Sequence, residues 1–431
     1  MIIGGMMSNL HRSTMNIEKN TTFGSNTISE VTGTRHSICA YKWAWSTVFL
    51  SLGTTASCHR TEQDTISPQS FSFHNTKSKI RTRQSMLDGE WPTGCEYCRV
   101  IEKSGGVSDR MDLNRDLELD IIPPELYTNP LATQLTPTSL EMYFNRLCNQ
   151  SCVYCSSVFS SKWAEEDKKY NGTILGVNHN LIPVSDDEYK KLYKAFWEWM
   201  NQNYTSLRRL NILGGEPFFQ QELIDVLDFF DNNPAPNLFL TIFSNLKIDK
   251  NKFLRICDRL QNFIDNKKIK KLKIVASMDG LGPEMEYIRS GANMEQWEEN
   301  FTILSNQYSF VMEVHGVITS LSIPSMERLL KFINFLNKNR PNNNTIMSSF
   351  NLCIDPECFQ PGIFSKGYFD NYFEKIMKQL HWKRAMKGYF DTINNSPENK
   401  KKQQILVLFL DELDKRRKTN WRETFPWLTI N

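Results

Sequence analysis

The sequence predicts an α/β fold: a parallel sheet with helical crossovers, bent into an open, TIM-like partial (β/α)6 barrel. Strand-like and helix-like segments alternate across residues 131–365, which is the pattern of consecutive βαβ units. Six such units are too few to close an eight-fold barrel. The 431-residue length leaves room for a second module beside a barrel-sized domain.

The elements follow in order. Thr138–Phe144 reads as the first strand, and Asp186–Gln202 as a helix with aromatic and aliphatic residues on one face. Leu207–Leu213, Asn237–Phe243, Leu272–Ser277, Phe310–Ile318 and Ser349–Ile354 supply the other strands. Gln220–Phe230, Lys250–Phe263, Glu295–Asn306 and Ser325–Asn337 are the helices between them. Residues 366–431 read as a helical extension, with helices over Gly367–Lys387 and Glu398–Arg417.

The N-terminal third differs. Residues 1–15 read as a disordered leader, with Met15 an equally good initiator. Residues 16–130 form a loop-rich, cysteine-rich region with short helices over 76–90 and 96–104. Asp109–Pro130 is acidic and ends in Pro123, Pro124 and Pro130, as a linker does. Trp43–Leu52 is the most apolar early stretch, far short of the roughly 20 residues of a membrane helix. It leads to Gly53 and suits a hairpin: Ser46–Leu52, a glycine turn, then Thr54–Cys58.

A net charge of +3 argues against a nucleic-acid or membrane electrostatic footprint. The basic runs Lys400–Lys402 and Lys415–Lys418 read as solvated helix faces. With no convincing export signal, the ten cysteines are expected to be reduced and the protein cytoplasmic.

Cys148, Cys152 and Cys155 form C-x3-C-x2-C directly after the first strand, where parallel barrels carry their chemistry. A four-iron cluster takes one ligand per iron, so three thiolates leave one iron open to chelate a small molecule. The alternative is a zinc site completed by a histidine, of which His179 is the nearest. This spacing resembles the signature of the radical S-adenosylmethionine superfamily, with Tyr154 in its aromatic position. The resemblance implies a [4Fe-4S] cluster that binds S-adenosyl-L-methionine, with Cys148, Cys152 and Cys155 as catalytic metal ligands. It spans residues 136–360. Gly214-Gly215-Glu216-Pro217, ending the second strand, is similar to the family's GGEP motif, which implies a hold on the methionine amino group. Ser244-Asn245 ends the third strand; Ser277-Met278-Asp279-Gly280 ends the fourth, and Arg289 follows. Similar stretches in the family bind ribose hydroxyls and the carboxylate: Ser277 can hydrogen-bond a ribose, and Arg289 can fork onto a carboxylate. Each of these also has an ordinary reading as a turn or a surface salt bridge. Thr319 ends the fifth strand and is a weaker signal. His315 and Asp355, near later strand ends, are candidate general bases.

Cys39, Cys58, Cys95 and Cys98 form a second set, C-x18-C followed by C-x2-C. A hairpin bringing Cys39 near Cys58 lets the C-x2-C pair close a four-thiolate site. The pattern resembles the start of the auxiliary-cluster domains called SPASM and twitch, here before the barrel instead of after it. The tract Met86–Gly106 also resembles a twitch-domain subgroup. That resemblance implies a second, auxiliary [4Fe-4S] cluster; a four-cysteine zinc ribbon uses the same ligands. Cys257 is expected to be buried on a helix, and Cys353 and Cys358 belong to neither site.

The leading expectation is therefore a radical enzyme, an oxidoreductase that oxidises or cross-links a peptide or protein and draws electrons from a flavodoxin or ferredoxin. Two alternatives remain: a zinc-stabilised binding module without catalysis, and a radical enzyme acting on tRNA or a small molecule.

Overall fold

The structure, a computed structural model, describes residues 37–58, 61–103, 108, 110–111, 123, 125–176, 181–340, 344–381 and 383–430. The expected leader and much of the expected linker lie outside the described residues. The fold is α/β, with a large, mostly parallel sheet of nine strands in the order β11-β10-β8-β7-β6-β4-β1-β2-β3. The strands are β1 (Trp45–Phe49), β2 (Thr54–Ala56), β3 (Asp64–Thr65), β4 (Ser139–Tyr143), β6 (Arg209–Leu213), β7 (Ala235–Ser244), β8 (Ile269–Ser277), β10 (Val311–Ile318) and β11 (Met347–Leu352). A separate two-residue pair, β5 (Ser151–Cys152) with β9 (Arg289–Ser290), lies outside it.

Six parallel strands, β4, β6, β7, β8, β10 and β11, are the six read from the sequence, laid down one after another in a single direction. Each junction carries a crossover helix, and three of the five start on a capping side chain. Ser185 caps α4 (Asp186–Asn203) by accepting the Glu188 amide at 3.3 Å, Asp249 caps α6 (Lys250–Asp265) at 3.0 Å, and Asn293 caps α7 (Met294–Gln307) at 2.8 Å. Between them α5 (Gln221–Asn232) and α8 (Ile323–Asn339) complete the set. Ahead of β4 lie α1 (Lys77–Leu87) and α2 (Glu96–Lys103); α3 (Ser161–Lys169) follows the β4 loop.

Two findings depart from the expected layout. The boundary expected near residue 130 does not divide the sheet: β1 runs parallel to β4, and β1 and β2 form the expected hairpin through Gly53 in the left-handed region. The N-terminal strands thus extend the sheet. The helix expected over Gly367–Lys387 is two, α9 (Asp370–Gln379) and α10 (Arg384–Asn395), before α11 (Lys400–Arg417). Asn334 of α8 takes the Gln379 carbonyl at 2.9 Å and the backbone turns extended at Leu380, which ends α9.

The sheet has two unlike faces. Leu140, Met142, Leu210, Ile212, Leu240, Ile242, Leu272 and Ile274 pack into the main apolar core. The alternating positions face the other way. In register across β1, β4, β6, β7 and β8, Thr47, Glu141, Asn211, Thr241 and Lys273 form a buried polar row. Two residues further along, Phe49, Tyr143, Leu213, Phe243 and Val275 form a smaller apolar cluster on that same face. This face is bounded at its C-terminal edge by the loop that carries the cysteine triplet. No described helix is long and apolar enough to cross a membrane.

Candidate functional site

The loop after β4 carries Cys148, Cys152 and Cys155, and three other segments hold it in place. Gln220 donates through Nε2 to the carbonyls of Asn145, Leu147 and Gly214 at 3.2, 3.0 and 2.8 Å, and the Glu216 amide donates to Leu147 at 2.9 Å. The double glycine permits this contact. Gly215 has φ +52°, and a Cβ there would sit 2.3 Å from the Leu147 oxygen. The close approach expected of these glycines is thus made to the chain's own cysteine loop.

Glu216 is buried at the centre of the second contact. Its carboxylate accepts the Ser244 hydroxyl at 2.7 Å and the amides of Phe218 and Asn245 at 3.0 and 2.6 Å. Burial pushes its pKa up to about 7, although these hydrogen bonds favour the anion. Asn245 in turn donates to Asn149 of the cysteine loop at 2.9 Å, and Asn149 donates to the Lys247 carbonyl at 2.6 Å. Pro217 opens a short 3-10 turn after Glu216.

The third contact is ionic. Arg289 forks onto Asp279 at 2.7 and 3.0 Å; Asp279 also accepts the Tyr154 hydroxyl at 2.6 Å and the Val317 amide at 2.8 Å. Opposite Arg289 across the β5–β9 pair is Cys152. Arg289, expected to grip a ligand carboxylate, instead grips a carboxylate of its own chain, so both groups position the cysteine loop. Ser277 stands half-buried at the end of β8.

The ten cysteines are all thiols outside disulfides. Burial raises the Cys148 thiol to about 12, with Cys152 adding to it; Cys155 is raised by burial and then by Cys152 and Cys148. The three sulfurs therefore sense one another, and a metal would have to displace their protons. Sequence reasoning missed Arg417, one of four consecutive basic residues read as a solvated helix face. Its guanidinium lies 4.5 Å over the Trp163 ring, and Trp163 donates to the Cys152 carbonyl at 2.7 Å. Arg417 Nε bonds Glu166 at 3.0 Å, while Nη1 and Nη2 are buried without a hydrogen-bond partner. Beside Cys155 a pocket is lined by Trp163, Ile174, Pro356 and Phe409.

Other expected groups are placed elsewhere. His315 is buried with both ring nitrogens engaged: Nδ1 with Ser349 Oγ at 2.8 Å, and Nε2 with the Asn351 amide at 3.3 Å. Ser349 donates onward to Glu313, which pairs with Lys273. Both ring nitrogens are thus engaged by side chains of the neighbouring strand β11. Asp355 is exposed. Thr319 is buried in a turn with Ser322 at 3.2 Å. Cys257, Cys353 and Cys358 are packed in the main core. His179 lies outside the described residues.

The four N-terminal cysteines lie on neighbouring segments. Cys39 and Cys95 share a small apolar cluster with Trp43, Met86 and Leu126. Thr61 holds the Cys58 carbonyl through its amide at 3.3 Å and its hydroxyl at 3.1 Å, and abuts Gly94, the residue before Cys95. One turn along α2 is Cys98. All four sulfurs act on the buried Lys42 ammonium: burial works to lower its pKa, and together they outweigh that and raise it.

Among the described residues no three His, Cys, Asp or Glu side chains converge closely enough to hold a metal ion. A single zinc needs donors about 2.3 Å from one point; a four-iron cube carries its thiolates on separate irons and needs no such convergence. The thiol donor set after β4, with the Arg417 guanidinium beside it, suits an anionic thiolate cluster. Comparison with known proteins gives no match: no family model and no curated protein matches the chain.

Proposed function

We propose that this chain is a radical S-adenosylmethionine enzyme, with Cys148, Cys152 and Cys155 as ligands to a [4Fe-4S] cluster. The observation that carries the reading is that Gly214–Pro217, Ser244-Asn245 and Asp279–Arg289, far apart in sequence, all bond to the one loop that bears the three cysteines. The single-direction strand order supports an open six-stranded barrel with this loop at its C-terminal edge. Bound there, the cluster would supply the electron that cleaves S-adenosyl-L-methionine to a 5′-deoxyadenosyl radical, which abstracts a substrate hydrogen.

The chain's own residues do the rest. Gly215 and Gln220 fix the loop's entry, and Asp279 with Arg289 fixes its exit. Carbonyls of the Gly214–Glu216 turn are acceptors for an ammonium group. Ser277 and Asn245 present hydroxyl and amide groups suited to ribose oxygens. Arg417 adds positive charge beside Cys152. The buried face of the sheet, apolar around Tyr143 and Phe243, excludes water from a radical. Cys39, Cys58, Cys95 and Cys98 hold a second metal, an auxiliary [4Fe-4S] cluster or zinc. A peptide or protein, oxidised or cross-linked, is the proposed substrate class, with a flavodoxin or ferredoxin as electron donor.

Anaerobically reconstituted protein given S-adenosyl-L-methionine and a strong reductant is expected to release 5′-deoxyadenosine, and Cys152→Ala is expected to release none. Equal release by both proteins would refute the proposal. Roughly eight irons per chain identifies two clusters, about four with zinc a cluster and a zinc site; zinc without sulfide returns the non-catalytic binding module.

A further inference from the structure

We propose that the segments around Leu147 and Phe219, beside the cysteine loop, form the docking surface for an acidic one-electron donor protein. The inference rests on the reading of Cys148, Cys152 and Cys155 as ligands to a redox cluster, and deepens it by naming the surface through which that cluster is reduced.

Two large apolar side chains are exposed on the segments that hold the loop. Leu147, directly before Cys148, is 41% exposed, and Phe219, on the turn after Glu216, is 47% exposed. These segments are bonded to each other: the Leu147 carbonyl accepts the Glu216 amide and Nε2 of Gln220, the residue after Phe219. Neither apolar side chain takes part in those bonds.

Cations surround them. Arg146 precedes Leu147, and the Lys247 carbonyl accepts Asn149 of the loop at 2.6 Å. The Lys252 ammonium lies 5.9 Å from the centre of the Phe219 ring, and Arg255 follows Lys252 one turn along α6. Among the described residues none of these four cations is in an ion pair. The carboxylates of the same segments are engaged: Glu222 accepts Asn145 and Tyr189, Asp249 caps α6, and Glu299 pairs with Lys250. Even with Glu295, at the start of α7, counted against them, positive charge is in excess. An apolar centre within a charged rim is the make-up of a protein contact, and a positive rim selects an acidic partner. A phosphate backbone would have no use for the apolar centre.

Electron transfer falls off steeply with distance, so a donor must dock close to the cluster ligands, and Leu147 adjoins one of them. The donor's reduced flavin gives up one electron, the cluster takes it up, and no bond is made or broken.

The test uses the full chain with its cluster reconstituted anaerobically, and flavodoxin as the probe. Flavodoxin binding is titrated by calorimetry at low and high salt, and 5′-deoxyadenosine formation is driven either by reduced flavodoxin or by dithionite. Lys252→Glu combined with Arg255→Glu is expected to weaken flavodoxin binding roughly 10-fold at low salt and to remove most of the salt dependence seen in the parent. Glutamate suits the first turn of α6, so the fold is kept. Phe219→Ser is expected to weaken binding several-fold at both salt concentrations. With dithionite all variants are expected to match the parent. Unchanged flavodoxin binding, an equal fall in rate with both reductants, or a parent that does not bind flavodoxin at low salt overturns the proposal. If the substitutions instead change self-association in sedimentation, the face joins two copies of the chain and the proposal fails. A parent that forms no 5′-deoxyadenosine even with dithionite overturns the radical reading, and this inference with it.

Discussion

Substituting Gly215 by alanine should break the clamp that holds the cysteine loop. Gly215 has φ +52°, and a Cβ would stand 2.3 Å from the Leu147 carbonyl oxygen and 2.6 Å from Gln220 Nε2. A left-handed conformation at a non-glycine residue costs about 1–2 kcal/mol. The overlap must also separate Leu147 from the Glu216 amide or from Gln220, bonds of 2.9 and 3.0 Å, and a buried polar group left unsatisfied costs about 1–3 kcal/mol. The sum is about 2–5 kcal/mol. Denaturant unfolding of Gly215→Ala measures it, and iron content after reconstitution shows whether the loop still binds. Gly388, inside α10, is the control: a Cβ there meets nothing within 4 Å, and alanine should stabilise the protein by up to about 1 kcal/mol. If Gly215→Ala unfolds like the parent and binds as much iron, the contact between Gly215 and Leu147 does not position the cysteines, and the reasoning above is wrong.

Other perturbations have equally definite outcomes. Asp279→Asn leaves Arg289 buried without its ion pair and should cost about 3–5 kcal/mol in denaturant unfolding; adding Arg289→Met should recover part of that loss. Glu141 is buried and its pKa is pushed up to about 7 by burial, from an ordinary 4.5. The native state therefore binds more protons than the unfolded state between those values, and stability falls as pH rises through that window, by about 3 kcal/mol. Glu141→Gln should flatten this slope in melts run from pH 4.5 to 8 and gain most above pH 7; an unchanged slope would show that Glu141 is not its source. Arg417→Met should weaken iron retention at the Cys148–Cys155 loop roughly tenfold against a chelator, visible as faster loss of cluster absorbance.

The six parallel strands and their helices were legible because their signals are local: apolar alternation on a strand and one apolar stripe on a helix. The C-x3-C-x2-C spacing and the GGEP, Ser-Asn and Ser-Met-Asp-Gly segments at strand ends were legible for the same reason. The parallel pairing of β1 with β4 was not, since register depends on which strand lies alongside and no local pattern encodes it. Nor was the break at Leu380, where Asn334 of a different helix donates to the Gln379 carbonyl.

The sequence by itself determined the element types, the succession of the six parallel strands, and which thiols and motifs fall near strand ends. Only the tertiary structure decided what those motifs touch: that Gly215 closes on Leu147, that Arg289 is held by Asp279, and that His315 has both nitrogens occupied. The physical reason is that desolvation and pairing are properties of a place in the fold. An arginine or lysine reads alike in any sequence until its surroundings show whether its charge has been answered.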